Sequence, residues 1–162
     1  MAPTTALDHP ILTAVGLFLE AHAGLTRTLE HQLDDECGLS HQWFEVLIRL
    51  ARTPGERLRM SDLAAQTTLT PSGLTRAVDR LEAAGLVTRE ACPNDRRSAY
   101  AVLTDDGRAR ILDAVPKHLA AVAALMNGAL SDDELVAFER IMRKLRDRMN
   151  PCAAATSTPS RG

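Results

Sequence analysis

The sequence predicts a mainly α-helical fold carrying one small β-hairpin. Three observations predict it. Near both ends, apolar residues recur every three or four positions over stretches far longer than a strand; between them lie two short helices joined by a tight turn; and two alternating segments, LVTREA and SAYAVL, are parted by turn residues. The chain has 162 residues, 45% hydrophobic and 25% charged, which fits one ordinary globular domain and excludes collagenous or disordered composition. No apolar run reaches the ~18 residues of a membrane span, and MAPTTALDHP lacks the basic start and apolar middle of an export signal. A cytoplasmic location is therefore expected, with no membrane partner. The three cysteines, Cys37, Cys92 and Cys152, match neither a disulfide framework nor paired zinc spacing.

The elements follow in order. Ile11, Leu12, Val15, Phe18, Leu19, Leu25, Leu29 and Leu33 form one helical stripe that Gly38 can end. Ser40 can cap a second helix from about His41 to Arg52, with Leu39 and Phe44 at the spacing of a hydrophobic staple, and Thr53-Pro54-Gly55 stops it. Leu58 fits a very short strand. Ser61 is the expected cap of a brief helix, Asp62 to about Thr67. Thr70 followed by Pro71 is a cap with proline at the first helical position, opening a helix that turns Leu74, Val78 and Leu81 inward and ends at Gly85. The hairpin comes next, its CPNDRR turn bearing arginines. Thr104, followed by Asp105 and Asp106, caps a long helix to about Asn127 that Pro116 should kink. Ser131 and Glu134 form a capping box for a last helix whose stripe is Leu135, Phe138, Ile141, Met142, Leu145 and Met149, stopped by Pro151.

The net charge of −2 is unevenly spread. Residues 1–56 hold 3 Arg against 8 acids, residues 57–104 hold 7 Arg against 5 acids, and residues 105–162 hold 9 basic against 8 acidic groups. A central segment whose basic residues are all Arg suits phosphate contact.

Short helix, tight turn, capped second helix and hairpin is the winged helix-turn-helix order. A helix fits the major groove, and its N-terminal residues meet base edges while the peptide dipoles there favour phosphate. That end is Thr70, Pro71, Ser72, Gly73, Leu74, Thr75 and Arg76: hydroxyls, a glycine for close approach, and an arginine one turn in. Arg80 lies a turn further on, where it either reaches DNA or pairs with Asp79 or Glu82. The hairpin tip, Asp95-Arg96-Arg97, can place a guanidinium in the neighbouring minor groove.

The run from Asp95 to Gly107, with Asp95, Arg97, Leu103, Thr104 and Gly107 at its key places, resembles the wing signature of the MarR family of transcription regulators, and SDLAAQTTLTPSGLTRAVDRLEAAGLV resembles that family's helix-turn-helix and strand. The resemblance covers about residues 8–150. It implies a bacterial transcription regulator, usually a repressor, that binds a pseudo-palindromic operator in double-stranded DNA as an obligate homodimer. Residues 8–36 and 104–150 would form the helical dimerisation region, 39–103 the winged DNA-binding region and 151–162 a disordered tail. The wing arginine of the family matches Arg97, the aspartate that orients it Asp95, and Arg96 would be a further backbone contact; Cys92 and Asn94 stand where members often carry Asp and Arg. The end stripes, with Leu12, Val15, Leu135, Phe138, Met142 and Leu145, would form the dimer interface. Helices this long in a chain with five aromatic residues would otherwise leave apolar surface uncovered. The resemblance also implies a crevice for a small aromatic anion that weakens DNA binding; His22, Trp43, Phe44 and Arg49 lie on segments that could line it, and Trp43 and Phe44 equally suit the core.

Other readings are weighed against this one. Thiol sensing would use Cys92 at the base of the wing or Cys37, whose acidic neighbours disfavour a thiolate. Zinc sensing would need His31, Cys37 and His41, a spacing that matches no usual site. No metal or cofactor is expected. No G-x-S-x-G, Walker loop, dinucleotide glycine motif or H-E-x-x-H is present, so an enzyme is not expected. A winged helix serving purely for protein contacts would not need arginines at the wing.

Overall fold

The computed structural model describes residues 8–92 and 95–151, with residues 95–97 through their backbone alone. The Pro93-Asn94 turn and the expected tail beyond Pro151, including Cys152, lie outside the described residues. The elements are α1 (Pro10–Cys37), α2 (His41–Ala51), a short 3-10 turn (Pro54–Glu56), β1 (Arg57–Arg59), α3 (Met60–Gln66), α4 (Pro71–Ala83), β2 (Val87–Cys92), β3 (Asp95–Leu103), α5 (Asp105–Asn127) and α6 (Asp132–Met149). The architecture is the mainly α winged fold that the sequence predicts.

Helix ends sit where local chemistry satisfies orphan backbone groups. Gly38 closes α1 in the left-handed region at φ +57°, and its N–H donates to Asp34 O while that of Leu39 donates to Leu33 O. The guanidinium of Arg110, from α5, donates to the carbonyls of Cys37 and Gly38, placing a cation at the negative end of α1. Ser40, Thr70 and Thr104 each accept from the backbone N–H three residues on, and Ser131 with Glu134 completes the capping box. One expected cap differs. α3 starts at Met60 with Arg59 in the cap position, because β1 hands directly to the helix, and the Ser61 hydroxyl turns to Asp62 instead. α5 also runs unbroken past Pro116, which lies on its exposed side, where a carbonyl deprived of its N–H donor can be solvated.

The sheet has three antiparallel strands in the order β1-β3-β2. Val87 pairs with Leu103 and Ala91 with Ala99, after which the register jumps so that Cys92 faces Asp95. β3 is thus longer than SAYAVL and takes in the backbone of Asp95, Arg96 and Arg97, expected at the tip; the jump puts extra β3 residues opposite one step of β2, which bends and twists such an arm.

One core joins α2, α3, α4 and the sheet to the end of α1 and the start of α5. Val46, Leu47, Leu50, Leu63, Val78, Leu81, Val87 and Ala101 are fully buried, and Leu33, Cys37, Ile111 and Ala114 pack with them. Away from that core the long helices are bare. Ile11, Leu12, Val15, Phe18 and Leu19 of α1 and Leu135, Phe138, Ile141 and Leu145 of α6 are all exposed, and no residue of α6 is buried.

Where α5 leaves the sheet, Thr104 acts as a clasp. Its hydroxyl donates to Gly85 O at 2.7 Å and accepts from Gly107 N–H at 3.0 Å, while its own N–H donates to Leu86 O.

Candidate nucleic-acid interface

α4 is amphipathic. Leu74, Ala77, Val78 and Leu81 are buried, which turns Ser72, Thr75, Arg76, Asp79 and Arg80 outward, all exposed. Its first turn is held by the Thr70 hydroxyl, which accepts from Gly73 N–H at 3.1 Å and lies 3.4 Å from the Ser72 hydroxyl. A Cβ on Gly73 would stand 3.1 Å from that Thr70 oxygen, so the glycine makes room for the cap itself. Thr75 donates to Pro71 O, and Arg76 Nε donates to Ser72 O at 3.3 Å, laying the Arg76 side chain along the first turn.

The acids of α4 are taken by a residue that the sequence did not single out. Arg89 of β2 reaches back with one nitrogen 2.7 Å from Asp79 and the other 2.8 Å from Glu82. Glu82 also accepts from the backbone N–H of Arg89 at 3.0 Å. Asp79 and Glu82, open as partners for Arg80 in the sequence, are thus paired with Arg89 instead. Strand parity gives part of the signal, since Arg89 lies opposite the buried Ala101 and so on the face of the sheet that meets the helices.

The opposite face carries Tyr100 between two arginines. The Arg57 guanidinium lies 4.2 Å from the ring centroid, and Arg59 Nε donates to the phenol oxygen at 3.2 Å. That contact raises the Arg59 pKa above its already high ordinary value, so the side chain is a permanent cation. The strand places Asp95, Arg96 and Arg97 at the far end of this arm; their side-chain contacts lie outside the described residues.

Between α2 and α5 is a cavity of about 340 Å³ lined by Phe44, Ile48, Arg49, Arg52, Val115, His118, Leu119 and Val122. Of the four residues expected at such a crevice, Phe44 and Arg49 line it. Trp43 packs on the core, and His22 is exposed on α1 beside Phe18. The α5 wall, with His118 at its centre, was missed because it needs the packing of α5 against α2; its 115, 118, 119, 122 spacing is the only trace in sequence. Among the described residues, Arg49 Nε is buried without a hydrogen-bond partner, and burial lowers the Arg49 pKa, with Arg52 and Arg146 acting in the same direction against Glu45. His118 packs on Phe44, ring centroids 4.3 Å apart and planes tilted by 50°, and sets Nδ1 2.9 Å from Gln32 Oε1 of α1; burial, then nearby His41, lowers its pKa.

Among the described residues two cysteines, Cys37 and Cys92, are buried, while His31 is exposed and His41 half-buried. Cys37 is buried with Sγ facing Gln32 and Ala114 O, and Cys92, expected at the base of the wing, is buried instead at the turn end of the hairpin, opposite Asp95. Among the described residues no group of three or more His, Cys, Asp or Glu is placed to hold a metal, so His31, Cys37 and His41 do not gather. No described helix is long and apolar enough to cross a membrane.

This geometry matches known proteins. The MarR family model matches residues 38–98, from the end of α1 into the wing. The solved structure of Sco3205, a MarR family transcriptional regulator from Streptomyces coelicolor in complex with DNA, superposes with a TM-score of 0.78 and 33% identity over 91% of each chain. The chain belongs to the MarR family. As a member of that family it is a transcription regulator with a DNA-binding fold, and the family is not one of enzymes. It is also similar to the transcriptional repressor YetL of Bacillus subtilis, 29% identical over 78% of this chain and 74% of that one. A third similarity is to Bordetella bronchiseptica BpsR, whose DNA binding is regulated by 6-hydroxynicotinic acid: 25% identity, TM-score 0.72, 83% of this chain and 99% of that one.

Proposed function

We propose that this MarR-family chain is a cytoplasmic bacterial homodimer that represses transcription from a pseudo-palindromic operator and is released when a small aromatic anion binds. The observation that carries the reading is the outer face of α4, where Ser72, Thr75, Arg76 and Arg80 are exposed while both nearby acids are paired with Arg89. Thr70, Ser72, Gly73 and Thr75 would meet phosphates and base edges at the helix start, Arg76 a base, and Arg80 the backbone. Arg97 would enter the minor groove with Asp95 orienting it and Arg96 on a phosphate. The resemblance to a regulator solved with DNA and to a named repressor supports the same roles.

The dimer would be built from residues 8–36 and 104–150, burying Leu12, Val15, Leu135, Phe138, Met142 and Leu145 and setting two recognition helices about 34 Å apart. An aromatic carboxylate suits the α2–α5 cavity: Phe44 supplies a ring face, and the unpartnered Arg49 Nε beside Arg52 supplies charge. Only a ligand that favours one spacing of the two winged units over another can release the operator.

Fluorescence anisotropy tests this, using duplexes from the region upstream of the gene and a scrambled control, at two salt concentrations, for wild type and Arg97→Ala. Selective, salt-sensitive binding that Arg97→Ala weakens by about tenfold or more is expected, with release by 6-hydroxynicotinate used as the probe anion. A folded dimer that selects nothing even from a random duplex pool would instead be a protein-interaction module.

A further inference from the structure

We propose that Arg89 is a positioning residue, a brace that sets the wing against the recognition helix and keeps the acids of that helix from opposing DNA. The inference rests on the reading of α4 and the wing as the DNA-contacting pair. Arg89 stands at the third position of β2 and is only 28% exposed. Its guanidinium spans two acids one turn apart on α4, Asp79 and Glu82, and also lies 3.4 Å from Thr75 O of the same helix. The backbone of the same residue is held by Glu82, so strand and side chain are fixed to α4 together. Four contacts from one residue, spread over the Thr75, Asp79 and Glu82 face, define both the distance and the rotation of β2 relative to α4.

The chemistry requires an arginine. A planar fork with five donors can hold two carboxylates and a carbonyl at once, whereas an ammonium is a single point of charge. A solvated ion pair contributes little to stability, so the value of this arrangement lies in geometry. Contacts in two adjacent grooves demand a fixed offset between helix and wing, because base contacts are lost when either is displaced. The pairing also cancels two negative charges on the helix that approaches the phosphates, and it leaves Arg76 and Arg80 without those competitors.

The test uses the full chain and a duplex that the wild-type protein selects from a random pool. Arg89→Met and the double variant Asp79→Ala/Glu82→Ala change the charge in opposite directions, yet a brace requires both to fail alike. Each should lower the ratio of selected to scrambled affinity by about tenfold or more, the worth of one lost base contact. Arg89→Lys should fall between wild type and Arg89→Met. If the acid-to-alanine variant keeps or raises the ratio, or Arg89→Met keeps it, the brace is overturned. A fall of about 0.9 in the salt slope for Arg89→Met would make Arg89 a phosphate contact, which also overturns it. Without DNA, amide exchange over Val87–Cys92 should speed up in Arg89→Met and in Asp79→Ala/Glu82→Ala; unchanged exchange overturns the brace. A wild type that selects no duplex while those exchange differences persist would overturn the DNA reading and uphold the brace.

Discussion

Gly107 packs so closely under Leu86 that a Cβ on the glycine would stand 2.0 Å from the Leu86 carbonyl oxygen and 2.9 Å from a methyl of Leu103. The obstacle is backbone, held in place by the N–H of Thr104, so it cannot swing aside as a side chain would. The last glycine of the wing signature is therefore required by the approach of α5 to the chain leaving α4.

Gly107→Ala accordingly forces α5 away from the sheet. Overpacking of this kind costs about 1–3 kcal/mol or more, a fall of several degrees in Tm by calorimetry. An alanine variant as stable as wild type would show that the clasp yields. Thr104→Val removes the two hydroxyl contacts without the clash and should cost less.

The bare faces of α1 and α6 predict the effect of a charge there. Phe138→Glu with Leu145→Glu should leave the winged unit folded, since neither residue joins the core, and convert a dimer into monomers in sedimentation equilibrium. DNA affinity should fall with it, because two half-sites are then bound independently. A wild type that is monomeric at micromolar concentration would contradict the proposed assembly.

His118 predicts a pH dependence. Its pKa in the fold lies below the ordinary 6.5, so the unfolded chain binds the proton more readily. No stability from this group changes above about 6.5; as pH falls below that value the folded state loses ground, until the lowered pKa is passed. Chemical denaturation of wild type and His118→Gln between pH 7.5 and pH 5 should show a steeper loss in wild type. Parallel curves would mean that the ring is not held neutral.

The parts of the fold legible in sequence are those governed by neighbours in the chain. The caps at Ser40, Thr70, Thr104 and Ser131, the end of α1 at Gly38 and the stripes of α1 and α6 all depend on contacts within one or two turns. What stayed hidden depends on how elements meet. Arg89 reads as one more exposed strand residue until β2 is laid against α4. The far wall of the cavity appears only when α5 crosses α2, which is why His118 was missed and His22 expected. The extent of β3 turned on a register jump at Cys92, for which no residue type is a marker.

Thr104 and Arg110 together anchor the first two turns of α5. Thr104 ties the first turn of α5 to the chain entering the wing, and Arg110, two turns on, ties it to the end of α1. Ile111 and Ala114 then seal that stretch into the core. Up to Ala114 the helix is bonded to and packed against the sheet and the foot of α1. Beyond it, Pro116 removes a helical hydrogen bond, and the following turns wall the cavity on one side and stand in solvent on the other. The contacts that hold α5 to the winged unit thus give way, next to Val115 and His118, to an arm that carries one wall of the cavity and no buried residue.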